Sequence, residues 1–181
     1  MSDRYEIRFA GSGGQGIILA AVITGEAAVL YGNLNAVQTQ SYGPEARGGK
    51  SKSEVVISRR EIDYPKASRP NLQVILNQNA CEEFVYDTAP GGTVILDDTY
   101  VKVKPQVDAE IHFLPIVKVA REKIGRELVT NMVALGATAH VLEKEGLLKP
   151  EHLKEAVMAR VPRGTEEMNG LAFDEGYNLL N

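Results

Sequence analysis

The chain has 181 residues, 44% of them hydrophobic, which suits one domain over residues 1–181 with a full core. The net charge of −4 gives no reason to expect nucleic-acid binding, and the single cysteine, Cys81, excludes both an internal disulfide framework and an iron–sulfur cluster held by this chain. No apolar run approaches the ~18 residues of a membrane span, and no signal peptide is evident, so we expect a cytoplasmic protein.

Strand-like and helix-like segments alternate along the chain, separated by Gly, Pro and Asp turns. The predicted strands are 5–10, 35–40, 52–58, 72–76, 93–96 and 110–114. The predicted helices are 17–31, 80–87, 116–124, 127–144, one that begins at Pro150, and 165–180. A surface loop is expected over 101–109. This alternation predicts a three-layer α/β/α domain with a mostly parallel sheet.

Three of the predicted helices carry further information in their apolar positions. The helix over 17–31 is apolar nearly all round, so we expect it to pack on the sheet and on a second element. The core face predicted for the helix over 127–144 is Leu128, Met132, Leu135, Ala139 and Leu142. The residues expected to pack in the last helix are Met168, Leu171, Ala172 and Tyr177.

A glycine-rich turn, GSGGQG, lies between the first strand and the first helix. Gly11, Gly13 and Gly16 satisfy G-x-G-x-x-G in the strand-to-helix context that the motif requires. Because glycine lets the backbone approach an anion and a helix N-terminus favours negative charge, a phosphate or carboxylate near residues 13–16 is reasonable. The alternative is that these glycines only permit close packing of strand and helix.

An NAD site is disfavoured by the residues downstream of the glycine turn. A dinucleotide fold places an Asp or Glu roughly 20 residues on, at the end of the second strand, to bind the ribose. Residues 27–44 contain no acid, and the expected place holds Gln38, Thr39 and Gln40.

A second loop, YGPEARGGKS (42–51), nearly matches a phosphate-binding P-loop, but Pro44 stands where the first glycine is required. A strand pattern also comes directly after it, where a P-loop needs a helix. Arg47, Lys50 and Lys52 against Glu45 leave a local charge of +2. The loop is either a solvated basic turn or an anion-binding or partner-docking loop beside the glycine turn.

The remaining chain offers little chemistry. The three histidines are scattered without ligand spacing, so no metal site is predicted. Cys81 begins a helix and is expected to be a buried structural thiol, and Asp97 and Asp98 are expected to cap a turn. No nucleophile or acid–base pair stands out, so we predict no catalytic residue in this chain.

Three blocks together identify a family resemblance: GSGGQGIILAA (11–21), QSYGPEARGGKSKSEVVIS (40–58) and NMVALGA (131–137). They resemble the gamma subunit of 2-oxoacid:ferredoxin oxidoreductases over nearly the whole chain, most closely the 2-oxoglutarate type. The resemblance implies domain III of the pyruvate-ferredoxin oxidoreductase fold. It also implies a subunit that is inactive alone, in an enzyme of anaerobic metabolism that converts 2-oxoglutarate and coenzyme A to succinyl-CoA, CO₂ and reduced ferredoxin.

The resemblance further implies that alpha, beta and ferredoxin-like delta subunits hold thiamine diphosphate, Mg²⁺ and the iron–sulfur clusters, while this domain helps to bind coenzyme A. The candidate contacts to coenzyme A are Gly11, Gly13, Gly14, Gln15, Gly16, Arg47 and Lys50. The candidate cleft or subunit-interface residues are Tyr42, Gly43, Pro44, Glu45, Gly48 and Gly49. We expect the isolated chain to form a homodimer. The alternatives are a subunit of an indolepyruvate or branched-chain oxidoreductase, and a standalone nucleotide- or CoA-binding module.

Overall fold

The computed structural model describes residues 4–42 and 50–181. Its strands are β1 (Arg4–Ser12), β2 (Asn35–Tyr42), β3 (Lys50–Ser58), β4 (Leu72–Ile75), β5 (Gly92–Asp97) and β6 (Ala109–Leu114). Its helices are α1 (Ile17–Glu26), α2 (Gln78–Phe84), α3 (Ile116–Lys118), α4 (Thr130–Lys144), α5 (Pro150–Arg160) and α6 (Glu166–Asn178). All six predicted strands and the predicted helices are present, with shifted ends.

Several helices change their winding at one end. Helix α1 continues as a π-helical segment over Ala27–Tyr31, and α3 continues in the same way over Val119–Lys123. A short 3-10 turn over Glu127–Val129 leads into α4. The predicted helix over 116–124 is therefore one α-helical turn followed by a wider one.

The six strands form one sheet in the order β2-β3-β1-β4-β5-β6. Strands β1, β4, β5 and β6 run parallel, whereas β3 pairs antiparallel with both β1 and β2. The prediction of a mostly parallel sheet is confirmed. Its second strand, however, is not next to the first, because β3 lies between them.

Helices cover the two faces of the sheet unequally. Helix α1 packs on β1, β2 and β3 with one side and on α4 and α5 with the other, as its all-round apolar sequence predicted. Helix α2 packs on the opposite face, where Ala80, Cys81 and Phe84 join a separate, smaller core. The chain thus leaves β1 toward one face and β4 toward the other.

The face of the sheet that α2 covers also contains a buried charge. Arg8 on β1 is 2% exposed, and its Nε donates to Glu54 Oε1 on the paired strand β3 at 2.8 Å. Its guanidinium also binds Asp87 and the carbonyl of Ala67, and it lies 5.5 Å from the centre of the Phe84 ring. Because a buried charge is tolerated only when it is paired and hydrogen-bonded, these contacts join the sheet to the end of α2.

Helices α4 and α6 approach each other at backbone distance. A Cβ added to Gly136 would overlap the carbonyl oxygen of Phe173, and one added to Gly176 would overlap the carbonyl oxygen of Val133. Neither glycine has a positive φ, so the close approach of the helices, and not backbone conformation, requires them. This explains the glycine inside the predicted NMVALGA block.

Two residues of the predicted core faces are exposed instead. Leu128 is 77% exposed and Leu171 is 49% exposed. Helix α4 is buried on nearly all sides, so no single face describes its packing, and Leu128 precedes the helix in the 3-10 turn. In α6 the buried side turns toward Asn169, Ala172, Phe173 and Gly176, because the glycine contact with α4 fixes its rotation.

Substituting Gly176 by Ala should destabilise the fold by about 3 kcal/mol, because overpacking against backbone cannot relax by a rotamer change. Gly170→Ala in the same helix is the matched control, since its Cβ would make only an ordinary contact with Met158 at 3.5 Å. Urea unfolding followed by circular dichroism measures both free energies. Equal stabilities of the two variants would contradict the helix contact.

A candidate ligand-binding cleft

A cleft of about 610 Å³ opens at the carboxyl ends of β1 and β4. This is the point at which the chain crosses from one face of the sheet to the other, and open α/β sheets bind ligands there. The described residues that line it come from the glycine turn, the start of α2, the turn after β5 and the start of α4 with the turn before it: Ser12, Gly13, Gly14, Gln15, Asn77, Gln78, Asn79, Tyr100, Glu127, Leu128 and Thr130.

The glycine turn is held by one of its own side chains. The backbone N–H of Ser12 donates to Gln15 Oε1 at 2.7 Å, and Gln15 Nε2 donates to the carbonyl of Leu76 at 3.2 Å. A Cβ on Gly11 would overlap Gln15 Oε1, so a side chain at this position would displace the Gln15 amide. The Gln15 amide therefore ties the turn to the end of β4 and positions the cleft floor.

Gly16 joins the same turn to α4. It is the N-cap of α1 with a φ of 72°, and a Cβ at this position would lie 2.5 Å from Asn131 Nδ2. Asn131 is buried and its Nδ2 approaches the carbonyl of Gly16 at 3.4 Å. The left-handed backbone and the close neighbour both require glycine.

Gly13 and Gly14 have a different environment. Both are exposed, both line the cleft, and a Cβ on either would meet nothing within 4 Å. Nothing in the fold requires the absence of a side chain at Gly13, whose φ is not positive. Gly14 has a φ of 89°, a left-handed backbone that favours glycine, so Gly13 is the glycine of this turn that neither packing nor backbone conformation explains.

The N-terminus of helix α1 lies next to the exposed backbone of Gly13 and Gly14. Its first intrahelical bond runs from the Ala20 N–H to the Gly16 carbonyl at 3.0 Å, and no side chain caps it. The first turn of a helix has backbone N–H groups without intrahelical partners and a positive partial charge. Together with Gly13 and Gly14, this N-terminus forms a floor suited to a phosphate group.

Side-chain amides form the opposite wall. Asn77 caps α2 by accepting from the Ala80 N–H at 2.8 Å, and Gln78 Oε1 accepts from the N–H groups of Lys102 and Val103. Asn79 is exposed in the same wall. Sequence reasoning missed these residues, although their position directly after the buried strand β4 was the available signal.

The candidate residues of the second loop are placed only in part. Lys50 lies at the start of β3, opposite Ser12, and its Nζ binds Glu83 Oε2 at 2.5 Å. The backbone of Tyr42 ends β2. The other candidates lie outside the described residues: Gly43, Pro44, Glu45, Arg47, Gly48 and Gly49.

Asp97, at the end of β5, holds the turn that carries Tyr100, one of the residues that line the cleft. It is fully buried and accepts hydrogen bonds from the N–H groups of Val117, Thr99 and Tyr100. Burial raises the pKa of the Asp97 carboxyl, and the three backbone donors oppose that rise. The expectation that this pair of acids caps a turn is confirmed for Asp97.

Other sources of chemistry are few in the part of the chain that the structure describes. Residues 4–42 and 50–181 contain no group of three His, Cys, Asp or Glu side chains arranged to hold a metal ion. Within the same ranges, no helix is long and apolar enough to cross a bilayer.

Comparison with known proteins places the chain in a family. Residues 6–179 match the family model described as pyruvate ferredoxin/flavodoxin oxidoreductase. The chain therefore belongs to this family. The 2-oxoglutarate synthase subunit KorC of Methanocaldococcus jannaschii is 48% identical over 178 residues, which cover 97% of this chain and 94% of that protein. The predicted resemblance is confirmed.

Solved structures agree with this placement. The gamma subunit of a keto/oxoacid ferredoxin oxidoreductase from Geobacter sulfurreducens superposes with a TM-score of 0.89 at 41% identity, covering 97% of this chain and 95% of that one. A 2-oxoglutarate:ferredoxin oxidoreductase from Magnetococcus marinus, with 2-oxoglutarate, coenzyme A and succinyl-CoA bound, shares the fold with a TM-score of 0.85 at 23% identity. The match covers 99% of this chain and 31% of that one.

Cys81 should resist alkylation in the native state. The side chain is buried, and burial raises the pKa of the thiol to about 11, so its reactive thiolate is scarce at pH 8. Because the folded pKa lies above the ordinary 9.0, the protonated thiol's contribution to stability persists below pH 9 and is lost as the pH rises through 11. Iodoacetamide labelling at pH 8, with and without urea, tests this, and rapid labelling of the native chain would contradict it.

Proposed function

We propose that this chain is the gamma-type subunit of a 2-oxoglutarate:ferredoxin oxidoreductase. In that complex, 2-oxoglutarate, coenzyme A and oxidised ferredoxin give succinyl-CoA, CO₂ and reduced ferredoxin. The observation that carries the proposal is the 48% identity with a 2-oxoglutarate synthase subunit over 97% of this chain. Relatives with branched-chain and indolepyruvate names are less similar to it.

The chemistry of this chain supports a role as a subunit that binds and orients a ligand without transforming it. One cysteine cannot hold an iron–sulfur cluster, and the Cys81 thiol is buried away from the cleft lining. Among the described residues of the cleft, the Tyr100 hydroxyl is hydrogen-bonded to the Glu127 carboxylate, but Arg121 shares that carboxylate, so Glu127 is held in an ion pair. We assign thiamine diphosphate, Mg²⁺ and the iron–sulfur clusters to the alpha, beta and delta subunits.

Coenzyme A is the ligand that we propose for the cleft. Its phosphate groups match a floor of exposed glycine backbone at a helix N-terminus. Gly13 and Gly14 would contact a phosphate directly, while Gly11, Gln15 and Gly16 hold those two in position. Coenzyme A supplies the thiol that accepts the acyl group.

Exposed apolar side chains support docking to other subunits. Val29 is 50% and Leu30 is 67% exposed, beside a groove between the end of α1 and the edge strand β2. Assembly in the cell would cover this surface with a partner subunit. In the isolated chain we still predict a homodimer.

Gly13→Ala should raise the KM for coenzyme A about tenfold without loss of stability. The methyl group meets nothing in the fold, but it separates a phosphate from the backbone N–H groups, and a hydrogen bond to a charged group is worth about 1.5–3 kcal/mol. Steady-state kinetics of the assembled complex give the KM, and Gly170→Ala, which lies in α6 away from the cleft, is the control. A KM equal to that of the wild type would place coenzyme A elsewhere.

Purification of a tagged chain under anaerobic conditions should recover larger subunits with it. The recovered complex should reduce ferredoxin with 2-oxoglutarate and coenzyme A, faster than with branched-chain 2-oxoacids or indolepyruvate. Mass spectrometry identifies the subunits, and a panel of 2-oxoacids separates the oxidoreductase types. A chain that purifies alone and binds a nucleotide without partners would favour a standalone binding module.

A further inference from the structure

Three side chains bridge the rim of the cleft. The Tyr100 hydroxyl donates to Glu127 Oε1 at 3.1 Å, and Arg121 Nε donates to Glu127 Oε2 at 2.9 Å. A terminal nitrogen of Arg121 also donates to the Tyr100 hydroxyl at 2.9 Å. Tyr100 and Glu127 both line the cleft, and Arg121, which contacts both, lies on the π-helical segment that continues α3.

The charge at this rim is of the wrong sign for an anionic ligand. Among the described residues that line the cleft, Glu127 is the one charged side chain. The guanidinium of Arg121 is neutralised by that carboxylate, and this hydrogen bonding raises the pKa of Arg121. Arg121 therefore supplies a positive charge beside the cleft, but that charge is already paired with Glu127.

The backbone on both sides of the rim is fixed while the arginine is exposed. The Tyr100 N–H donates to buried Asp97 Oδ2 at 2.9 Å, and Thr130 Oγ1 donates to the Glu127 carbonyl at 2.6 Å. Side chains of Arg121 and Glu127 are 47% and 48% exposed, so their ion pair is solvated and weak. The pair can thus exchange partners without moving the backbone of the cleft.

We propose that Arg121 is a latent anion-binding residue of the cleft. When coenzyme A binds, the Arg121 side chain exchanges its ion pair with Glu127 for contacts with the 3′-phosphate at the rim. This inference rests on the proposed coenzyme A site. A phosphate monoester has close to two negative charges and accepts paired N–H donors from a guanidinium, so it competes well with a solvated carboxylate. The glycine floor then holds the pyrophosphate, and Glu127 keeps Tyr100 as its partner.

The test compares coenzyme A with 3′-dephospho-coenzyme A in the assembled complex. Arg121→Gln should raise the KM for coenzyme A about tenfold and leave the KM for the dephospho compound unchanged. Glu127→Gln, which keeps the size of the side chain and removes the competing charge, should lower the KM for coenzyme A about threefold. A pair that only supports the rim would instead raise the KM of both compounds in both variants, which would overturn the proposal.

Arg160→Gln is the matched control, because Arg160 forms a similarly exposed ion pair with Glu26 on a part of the surface that does not line this cleft. Its KM for both compounds should equal that of the wild type. If Arg121→Gln fails to assemble, Arg121→Lys, which keeps the charge and loses the paired donors, should still show a selective rise for coenzyme A. No selective rise in the variant that assembles would overturn the proposal.

The failure of this inference and of the proposed function are distinguishable. If Gly13→Ala raises the KM for both compounds while Arg121→Gln changes neither, the coenzyme A site stands and the role of Arg121 is wrong. If neither variant changes either KM, coenzyme A does not bind in this cleft. The proposed coenzyme A site and the proposed role of Arg121 then fail together.

Discussion

The contact between Gly16 and Asn131 is the constraint on which the site depends. Gly16 begins α1 with a left-handed backbone, and that backbone lies against Asn131 in the first turn of α4. This contact joins the start of the chain to a helix 115 residues later. Because Gln15 fixes the same turn to the end of β4, the cleft floor is held from both sides before any ligand arrives. A preformed floor reduces the ordering that binding requires.

The antiparallel strand β3 determines what kind of site this can be. In a dinucleotide fold the second parallel strand lies beside the first and carries the acid that binds the ribose. Here β3 occupies that place, and β2, with its uncharged Gln38, Thr39 and Gln40, lies at the sheet edge. The crossover point stays between β1 and β4, as in the 3-2-1-4-5-6 strand order of a dinucleotide fold. The cleft therefore keeps the glycine turn of a nucleotide fold, and amide side chains at the start of α2 line it in place of an acid on the second strand.

The cleft contains no group that could carry out the redox chemistry of the family by itself among its described residues. Its floor is backbone, its wall is amide, and its rim is an exposed tyrosine–arginine–glutamate network, none of which transfers electrons or breaks carbon–carbon bonds. These groups can hold an anionic ligand and select among its forms. The division of labour expected for a gamma-type subunit is thus consistent with the chemistry of the described residues and with the family to which the chain belongs.

The sequence by itself determined the strands, the helices and the glycine turn, because hydrophobic periodicity and turn residues are local signals. It also determined the family, since three separate motif blocks occur together. Only the tertiary structure separated Gly11 and Gly16, where an added Cβ would meet Gln15 and Asn131, from Gly13 and Gly14, which face the cleft. The tertiary structure also left Leu128 exposed to solvent and brought Tyr100, Arg121 and Glu127 together. Contacts between residues far apart in sequence depend on strand order and helix rotation, which no local sequence pattern encodes.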